Sequence, residues 1–228
     1  MHLKNKNLLT PKVIFEDQHL MVISKPAGLL SQGDISGEFN LVNWAREHVK
    51  RNYIGLIHRL DRNTSGLMVL GKRSKAANRL SESLKTGLLK RKYLALVEGS
   101  LQAQANWTHY LKKDNDINHV SVAEKRLDPS YKKSSLLVTP LKHKLSTKGA
   151  ITLCEFILET GRSHQIRAQA SFEGHPLLGD IKYGANQGFT SLVDRLALHS
   201  YSISFPHPMS DLPMHFEEEL PEDLSRLI

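Results

Sequence analysis

Residues 58–67 read His58-Arg59-Leu60-Asp61-Arg62-Asn63-Thr64-Ser65-Gly66-Leu67, a polar segment between two apolar stretches. Residues 53–57 before it and 67–70 after it have the short apolar pattern of buried strands, so the segment is predicted to be a loop between strands. A loop that concentrates a carboxylate, two arginines, a histidine and two hydroxyls is typical of a functional site. Taken alone, Asp61 is more often a turn former that accepts hydrogen bonds from nearby N–H groups.

Outward from this loop, the apolar spacing predicts short strands and a few helices. The predicted strands cover residues 13–15, 20–23, 53–57, 67–70, 93–97, 135–138, 151–158 and 198–205. One helix is capped by Asn40 and ends near Asn52, a second is capped by Ser74, and a third covers residues 163–172. Strands outnumber helices and do not alternate with them regularly, which predicts an α+β fold with a mixed, mainly antiparallel central sheet flanked by helices.

Two regions show no clear helix or strand pattern. Residues 29–39 are predicted to be a loop, and residues 100–150 are polar and charged, with a strand expected only at residues 135–138. The chain has the length of one domain or of two closely packed subdomains, and we expect residues 1–228 to form a single catalytic domain.

The charge balance is basic, with 31 Lys and Arg against 23 Asp and Glu, a formal charge of +8 and a pI near 9.5. Basic residues concentrate between residues 71 and 92, and acids near the end of the chain. Such a patch predicts a polyanionic partner, although a solvated basic surface explains the composition equally well.

Cys154 is the single cysteine, so an intrachain disulfide and a thiolate-rich metal site are both excluded. The first nine residues lack the apolar run of a signal peptide, and no stretch is long and apolar enough to span a membrane. We therefore expect a cytoplasmic protein with no membrane contact.

The segment around Asp61 resembles the motif His-Arg-Leu-Asp-x-x-Thr-Ser-Gly-Leu of the RluA-type RNA pseudouridine synthase family. Further segments match that family in the same order along the chain. They are Lys25-Pro26-Ala27-Gly28, Arg91-Lys92-Tyr93, the run Thr160-Gly161-Arg162-Ser163-His164-Gln165-Ile166-Arg167, and Gly174-His175-Pro176-Leu177-Leu178-Gly179-Asp180 followed by Tyr183-Gly184. One match would be weak evidence, whereas the ordered set spans nearly the whole chain.

The resemblance implies the pseudouridine synthase catalytic fold, with a central RNA-binding cleft, and conversion of uridine in RNA to pseudouridine. The uracil is detached from the ribose, rotated, and rejoined through a carbon–carbon bond. The family's essential carboxylate corresponds to Asp61, acting as nucleophile or base. A partly buried carboxylate needs a nearby cation to stay ionised, and the resemblance implies that this counter-ion is Arg162. A surface arginine in a turn is the alternative.

The resemblance also assigns residues that bind the RNA. Tyr93 corresponds to the aromatic that stacks on the flipped uracil, and Arg59 to the side chain that fills the gap in the RNA stack. A half-buried strand aromatic and a phosphate contact are the alternatives for these two. The remaining candidates are Ile166 as a pocket wall or core residue, Arg167 as a substrate-binding residue, and His58, Thr64, Ser65 and His164 as hydrogen-bonding partners of the loop.

The chain departs from the family pattern at two places. Leu29-Leu30-Ser31-Gln32-Gly33-Asp34 replaces a stretch with a His-Pro pair, and Ala168-Gln169 replaces Val-His. We expect both to change the cleft walls and the choice of substrate. Because only about a dozen residues precede the first strand, we expect no S4-type RNA-binding domain.

Two other classes of function are weaker alternatives. A non-catalytic RNA-binding protein predicts loss of the aspartate, and Asp61 is present. A hydrolase of glycosidic bonds needs a second carboxylate, for which only Glu155 and Glu159 lie near Arg162 in sequence. No metal-ligand motif or glycine-rich phosphate loop occurs, so we expect no metal and no cofactor. The resemblance implies that the partner is ribosomal or transfer RNA rather than DNA, and we expect a monomer.

Overall fold

The computed structural model describes residues 9–33 and 37–228. The strands are β1 (Lys12–Glu16), β2 (Leu20–Lys25), β3 (Gly55–Leu56), β4 (Ser65–Gly71), β5 (Lys90–Glu98), β6 (Ala105–Asp114), β7 (His119–Ala123), β8 (Lys132–Ser146), β9 (Gly149–Leu158), β10 (Leu198–Pro206) and β11 (Pro213–Glu217). The helices are α1 (Leu41–Val49), α2 (Ser74–Lys85), α3 (Gln165–Phe172), α4 (Gln187–Thr190) and α5 (Glu222–Ser225), with a 3₁₀ turn at Ile181–Tyr183. The predicted α+β class is confirmed.

The chain folds into two compact units. The first contains the described residues up to Arg91 together with Ser200–Glu219, and the second contains Lys92–His199 and Leu220–Ile228. The loop around Asp61 belongs to the first unit, whereas Tyr93 and Arg162 belong to the second.

The sheet of the first unit has the strand order β1-β2-β4-β10, with β3 also pairing with β4 and β11 with β10. All seven residues of β4 are buried, as its continuous apolar sequence predicts for a central strand. One core cluster combines Leu20 and Val22 of β2, Leu67 and Val69 of β4, and Ala77 and Leu80 of α2, among others. Helix α2 therefore covers one face of this sheet.

The start of β4 requires a glycine. Gly66 has φ of +113°, and a Cβ there would collide with the backbone carbonyl oxygen of Ser200. Other residues rarely adopt this backbone conformation. The glycine of the motif thus lets β4 begin directly after the polar loop.

The sheet of the second unit has the antiparallel order β5-β9-β8-β6-β7. Helix α3 packs on one of its faces, where Ala168 joins Leu111 of β6, Val120 of β7 and Tyr183. A second core combines Leu96 of β5, Ile151 of β9 and Leu224 of α5 with four residues of the segment between α3 and β10, namely Leu178, Phe189, Val193 and Ala197.

Several predicted boundaries are wrong. The strand predicted at residues 53–57 is only two residues long, and the residue capping α2 is Arg73, with Ser74 as the first helical residue. Strands β6, β7 and β11 and much of β8 were not predicted. Asn40 caps α1 as predicted, through a bond from the Asn43 backbone N–H. The predicted loop at residues 29–39 includes residues 34–36, which lie outside the described residues.

The single cysteine lies inside the second unit. Cys154 is fully buried on β9, opposite Ala95 of β5, and burial raises the pKa of its thiol to about 12. The helices of the described residues are too short or too polar to cross a membrane.

Candidate active site

The loop that carries Asp61 connects β3 and β4 and is fixed through its backbone. Asp61 is partly exposed, and its carbonyl oxygen accepts a hydrogen bond of 3.1 Å from the Thr64 N–H, which closes a turn. The peptide groups on both sides of Asp61 bind other segments of the first unit. The backbone at Asp61 is therefore positioned by its neighbours.

Ser31 holds the residue before Asp61. Its hydroxyl donates to the Leu60 carbonyl oxygen at 2.6 Å and accepts from the Leu60 N–H at 3.1 Å. Both side chains are nearly fully buried, at 5% and 6% exposure. The sequence indicated only that this stretch departs from the family pattern, and no local signal pointed to a contact with Leu60.

The Lys25-Pro26-Ala27-Gly28 segment holds the residue after Asp61. The Arg62 carbonyl oxygen accepts from the Gly28 N–H at 2.8 Å and from Lys25 Nζ at 3.1 Å. The fully buried Lys25 ammonium also donates to the carbonyl oxygens of Pro26 and Leu29. A buried ammonium group needs these hydrogen-bond acceptors, because a buried charge without them would destabilise the folded state.

His58 supports the loop as a neutral residue. Its Nε2 accepts a hydrogen bond of 3.4 Å from the Val69 N–H, so the proton lies on Nδ1. Burial, with a smaller contribution from the Arg91 guanidinium, lowers the pKa of His58 to about 3. Thr64 and Ser65 are also buried, whereas Arg59 is exposed. Among the described residues, His58 Nδ1 and Thr64 Oγ1 have no hydrogen-bond partner. The supporting role of these side chains stays a prediction, and Arg59 lies at the surface.

In the second unit, the turn before α3 is organised by Gln165. Its buried Oε1 accepts from the Arg162 N–H at 3.0 Å and from Thr160 Oγ1 at 2.9 Å, and its Nε2 donates to the Ser135 carbonyl oxygen. Arg162 itself is exposed at this turn. Gln165 was part of the matched motif, but no role was predicted for it.

The other candidates of the second unit differ in exposure. Tyr93 is 4% exposed and lies opposite Phe156 in the sheet, and Ile166 is 4% exposed. Arg167 forms a bidentate ion pair with the buried Asp180, at 2.7 and 2.8 Å, and its guanidinium lies 5.0 Å from the centre of the Tyr183 ring. The Tyr183 hydroxyl in turn contacts His164 Nδ1 at 2.8 Å. Arg167 and His164 are thus tied to the residues of the last matched motif.

Two expectations about surfaces need correction. Gln169 was expected to alter a cleft wall, but it is fully buried and donates to His109 Nδ1 at 2.9 Å and to the Trp107 carbonyl oxygen. In the basic stretch at residues 71–92, Arg91 is buried and Lys72 pairs with Glu16. The sequence pattern could not distinguish these interior side chains from surface ones.

The architecture matches solved pseudouridylate synthase domains. Human RNA pseudouridylate synthase domain containing 1 superposes with a TM-score of 0.75 and 20% identity, over 96% of this chain and 94% of that one. Human RNA pseudouridylate synthase domain containing 4 gives a TM-score of 0.73 at 22% identity, over 94% and 90% of the two chains. At this identity the match defines the fold.

Sequence comparisons define the family. Residues 19–172 match the model of RNA pseudouridylate synthases. An uncharacterized RNA pseudouridine synthase of Bacillus subtilis is 35% identical over 95% of this chain and 75% of its own length. Ribosomal large subunit pseudouridine synthase C of Buchnera aphidicola is 31% identical, over 97% and 71%. The chain belongs to the RNA pseudouridylate synthase family, the isomerases that convert uridine in RNA to pseudouridine, and the predicted resemblance is confirmed.

Proposed function

We propose that this enzyme isomerises specific uridines of ribosomal or transfer RNA, with Asp61 as nucleophile or base acting on a uridine flipped out of the RNA. The observation that carries the proposal is the backbone clamp on Asp61. Ser31 fixes Leu60, and Lys25 and Gly28 fix Arg62, so the backbone of Asp61 is held between them while its side chain stays partly exposed. Such preorganisation is what a reacting group requires.

The other roles follow the matched motifs. Arg162 is the counter-ion that keeps Asp61 ionised, since a guanidinium pairs with a carboxylate through two parallel hydrogen bonds. Tyr93 holds the uracil, and the exposed Arg59 occupies the gap that the flipped base leaves, or binds a phosphate. Extruding the base costs about a few kcal/mol of stacking, which this insertion offsets in part.

Ribosomal RNA is the first substrate to test. Two relatives carry the name ribosomal large subunit pseudouridine synthase, form C in Buchnera aphidicola and form D in Zymomonas mobilis, and this chain spans 71% of each. Transfer RNA is the second substrate, and the same assay would reveal an enzyme that acts on both. We further propose a monomer that works in the cytoplasm.

The test is release of tritium from 5-tritiated uridine in transcripts of large-subunit ribosomal RNA and of transfer RNA. Asp61→Asn should abolish release while filter binding of the same transcripts is retained, because the change removes only the charge. Arg162→Ala should also lose activity, and Arg162→Lys should recover only part of it because a lysine cannot pair bidentately.

Circular dichroism of each variant checks that it is folded. Wild-type turnover by folded Asp61→Asn would overturn the assignment of the carboxylate. Undiminished turnover by Arg162→Ala would overturn the counter-ion role alone. If the unmodified enzyme releases tritium from neither RNA, the proposed substrates are wrong.

A further inference from the structure

The β8–β9 hairpin continues beyond the rest of its sheet. Strand β6 pairs with β8 only from Lys132 to Val138, whereas β8 and β9 stay paired as far as Ser146 and Gly149. We call residues 141–150 the ribbon. In the described strand pairings, the β8 part of the ribbon pairs with β9 on one side and has no strand on its other side. A bulge at Leu141, next to Pro140, marks where the ribbon begins.

The ribbon carries positive charge without neighbouring acids. Lys142, Lys144 and Lys148 are exposed, and within the described residues none of them has a carboxylate within salt-bridge distance. No Asp or Glu occurs in the sequence between Asp128 and Glu155. By contrast, Lys112 pairs with Asp128 and Lys92 with Glu155. The ribbon thus presents three exposed lysines that no carboxylate pairs with among the described residues.

The ribbon is an ordered element rather than a loose loop. The Ser146 hydroxyl donates to the Gly149 carbonyl oxygen at 2.8 Å and accepts from the Lys148 N–H at 3.1 Å, which shapes the tip. Gly149 has φ of +127° and sits so close to Phe189 that a Cβ would lie 2.9 Å from the ring. The lysines are therefore presented on a fixed backbone, at a low entropic cost for binding.

The spacing of the lysines suits an extended polyanion. Lys142 and Lys144 lie opposite Leu153 and Ile151, so they share one face of the ribbon, at a separation of about 7 Å along the strand. Lys148 adds a third ammonium group at the tip. Exposed lysines on an open strand edge also serve to prevent edge-to-edge aggregation, and Leu145, at 84% exposure, makes that explanation a real competitor.

We propose that the ribbon is a docking arm for the substrate RNA, in which Lys142, Lys144 and Lys148 bind phosphates away from the target uridine. RNA is the polyanion that the family acts on, and charge complementarity identifies it as the occupant. The inference rests on the proposed activity of this chain. It adds an RNA contact that lies outside all the residues assigned to the chemistry.

The test compares two triple variants in the tritium-release assay. Lys142, Lys144 and Lys148 are replaced by Gln in one, and the exposed Lys12, Lys113 and Lys125 in the other, so that each removes three charges from the formal +8. The ribbon variant should raise KM by about 10-fold at unchanged kcat. It should also reduce the slope of log affinity against log salt by about 2, because each phosphate of a single strand that a lysine neutralises adds about 0.7 to that slope. In the control variant, neither KM nor the slope against log salt should change by more than about 2-fold.

Each other outcome overturns the proposal. Equal effects in both variants would show a general charge effect. Unchanged KM together with aggregation of the ribbon variant on size exclusion would show that the lysines protect a strand edge. A fall in kcat with unchanged KM would place the ribbon in the chemistry instead. Activity of the unmodified enzyme is measured first, so failure of the proposed function is seen separately.

Discussion

At the scale of single residues, the candidate site depends on what surrounds Asp61 rather than on Asp61 alone. Its two neighbours are held by a serine hydroxyl, a lysine ammonium and a backbone N–H, all from one stretch of chain, residues 25–31. The matched motif identified Asp61 and Lys25 from the sequence. The role of Ser31 in holding this loop could not be predicted, because its partner Leu60 lies 29 residues away and is contacted only through the backbone.

Ser31→Ala should reduce turnover while RNA binding persists. The change leaves the buried N–H and C=O of Leu60 without their partner, which should lower the free energy of unfolding by about 1–3 kcal/mol. Because small displacements of a reacting group are costly, kcat should fall by at least about 10-fold. Single-turnover kinetics on ribosomal RNA transcripts measures this, and Ser31→Thr, which keeps the hydroxyl, is the control. A wild-type kcat in Ser31→Ala would show that Leu60 does not need the clamp.

At the scale of elements, strands with continuous or alternating apolar residues were predictable and those built on polar side chains were not. Strand β4 was found from its sequence because all its residues are buried. Strand β6 alternates correctly, but one of its covered residues is His109, which is buried against Gln169 and Glu173. The outer half of β8 is exposed and lysine-rich, so no burial pattern marks it.

Helix α3 offers a test at this scale, because its Arg167 is paired with Asp180 in the following segment. The Asp180 carboxylate is 1% exposed and the Arg167 side chain 12%. Asp180→Asn should lower the free energy of unfolding by about 3–5 kcal/mol, since it leaves a buried guanidinium without its counter-charge. Urea unfolding followed by circular dichroism measures the change.

The same fold supplies a matched control for that experiment. Arg195 and Asp223 form an ion pair of similar geometry, but the Asp223 side chain is 43% exposed. Asp223→Asn should cost only about 1 kcal/mol or less, because solvent already screens the pair. Equal destabilisation of the two variants would contradict the idea that burial makes the Arg167 pair important.

At the scale of the whole molecule, the ordered motifs and the charge predicted the family and a polyanionic partner, but not which charges are available. Buried cations such as Lys25 and Arg91 count toward the formal +8 yet do not reach the surface.

Buried histidines also affect the stability of the whole molecule. Burial lowers the pKa of His58 to about 3 and that of His199 to about 4.

Global stability should therefore fall as the pH is lowered. The unfolded chain binds protons on these histidines below pH 6.5, whereas the folded chain does not, so stability is lost between pH 6.5 and about 4 to 3. Each histidine should cost about 1.4 kcal/mol at pH 5.5 relative to pH 7.5. Urea unfolding at the two pH values measures the sum. His58→Gln should remove about half of the difference, and an unchanged difference would show that His58 titrates normally.

The burial of Cys154 also makes the enzyme convenient for optical work. A thiol that is fully covered, and whose pKa burial raises to about 12, should not react with a maleimide dye in the native protein. A second thiol introduced by Leu145→Cys, at 84% exposure, would then be the site that takes the label. Fluorescence anisotropy of that dye would report RNA arriving at the tip of the hairpin, without any need to remove the native cysteine first.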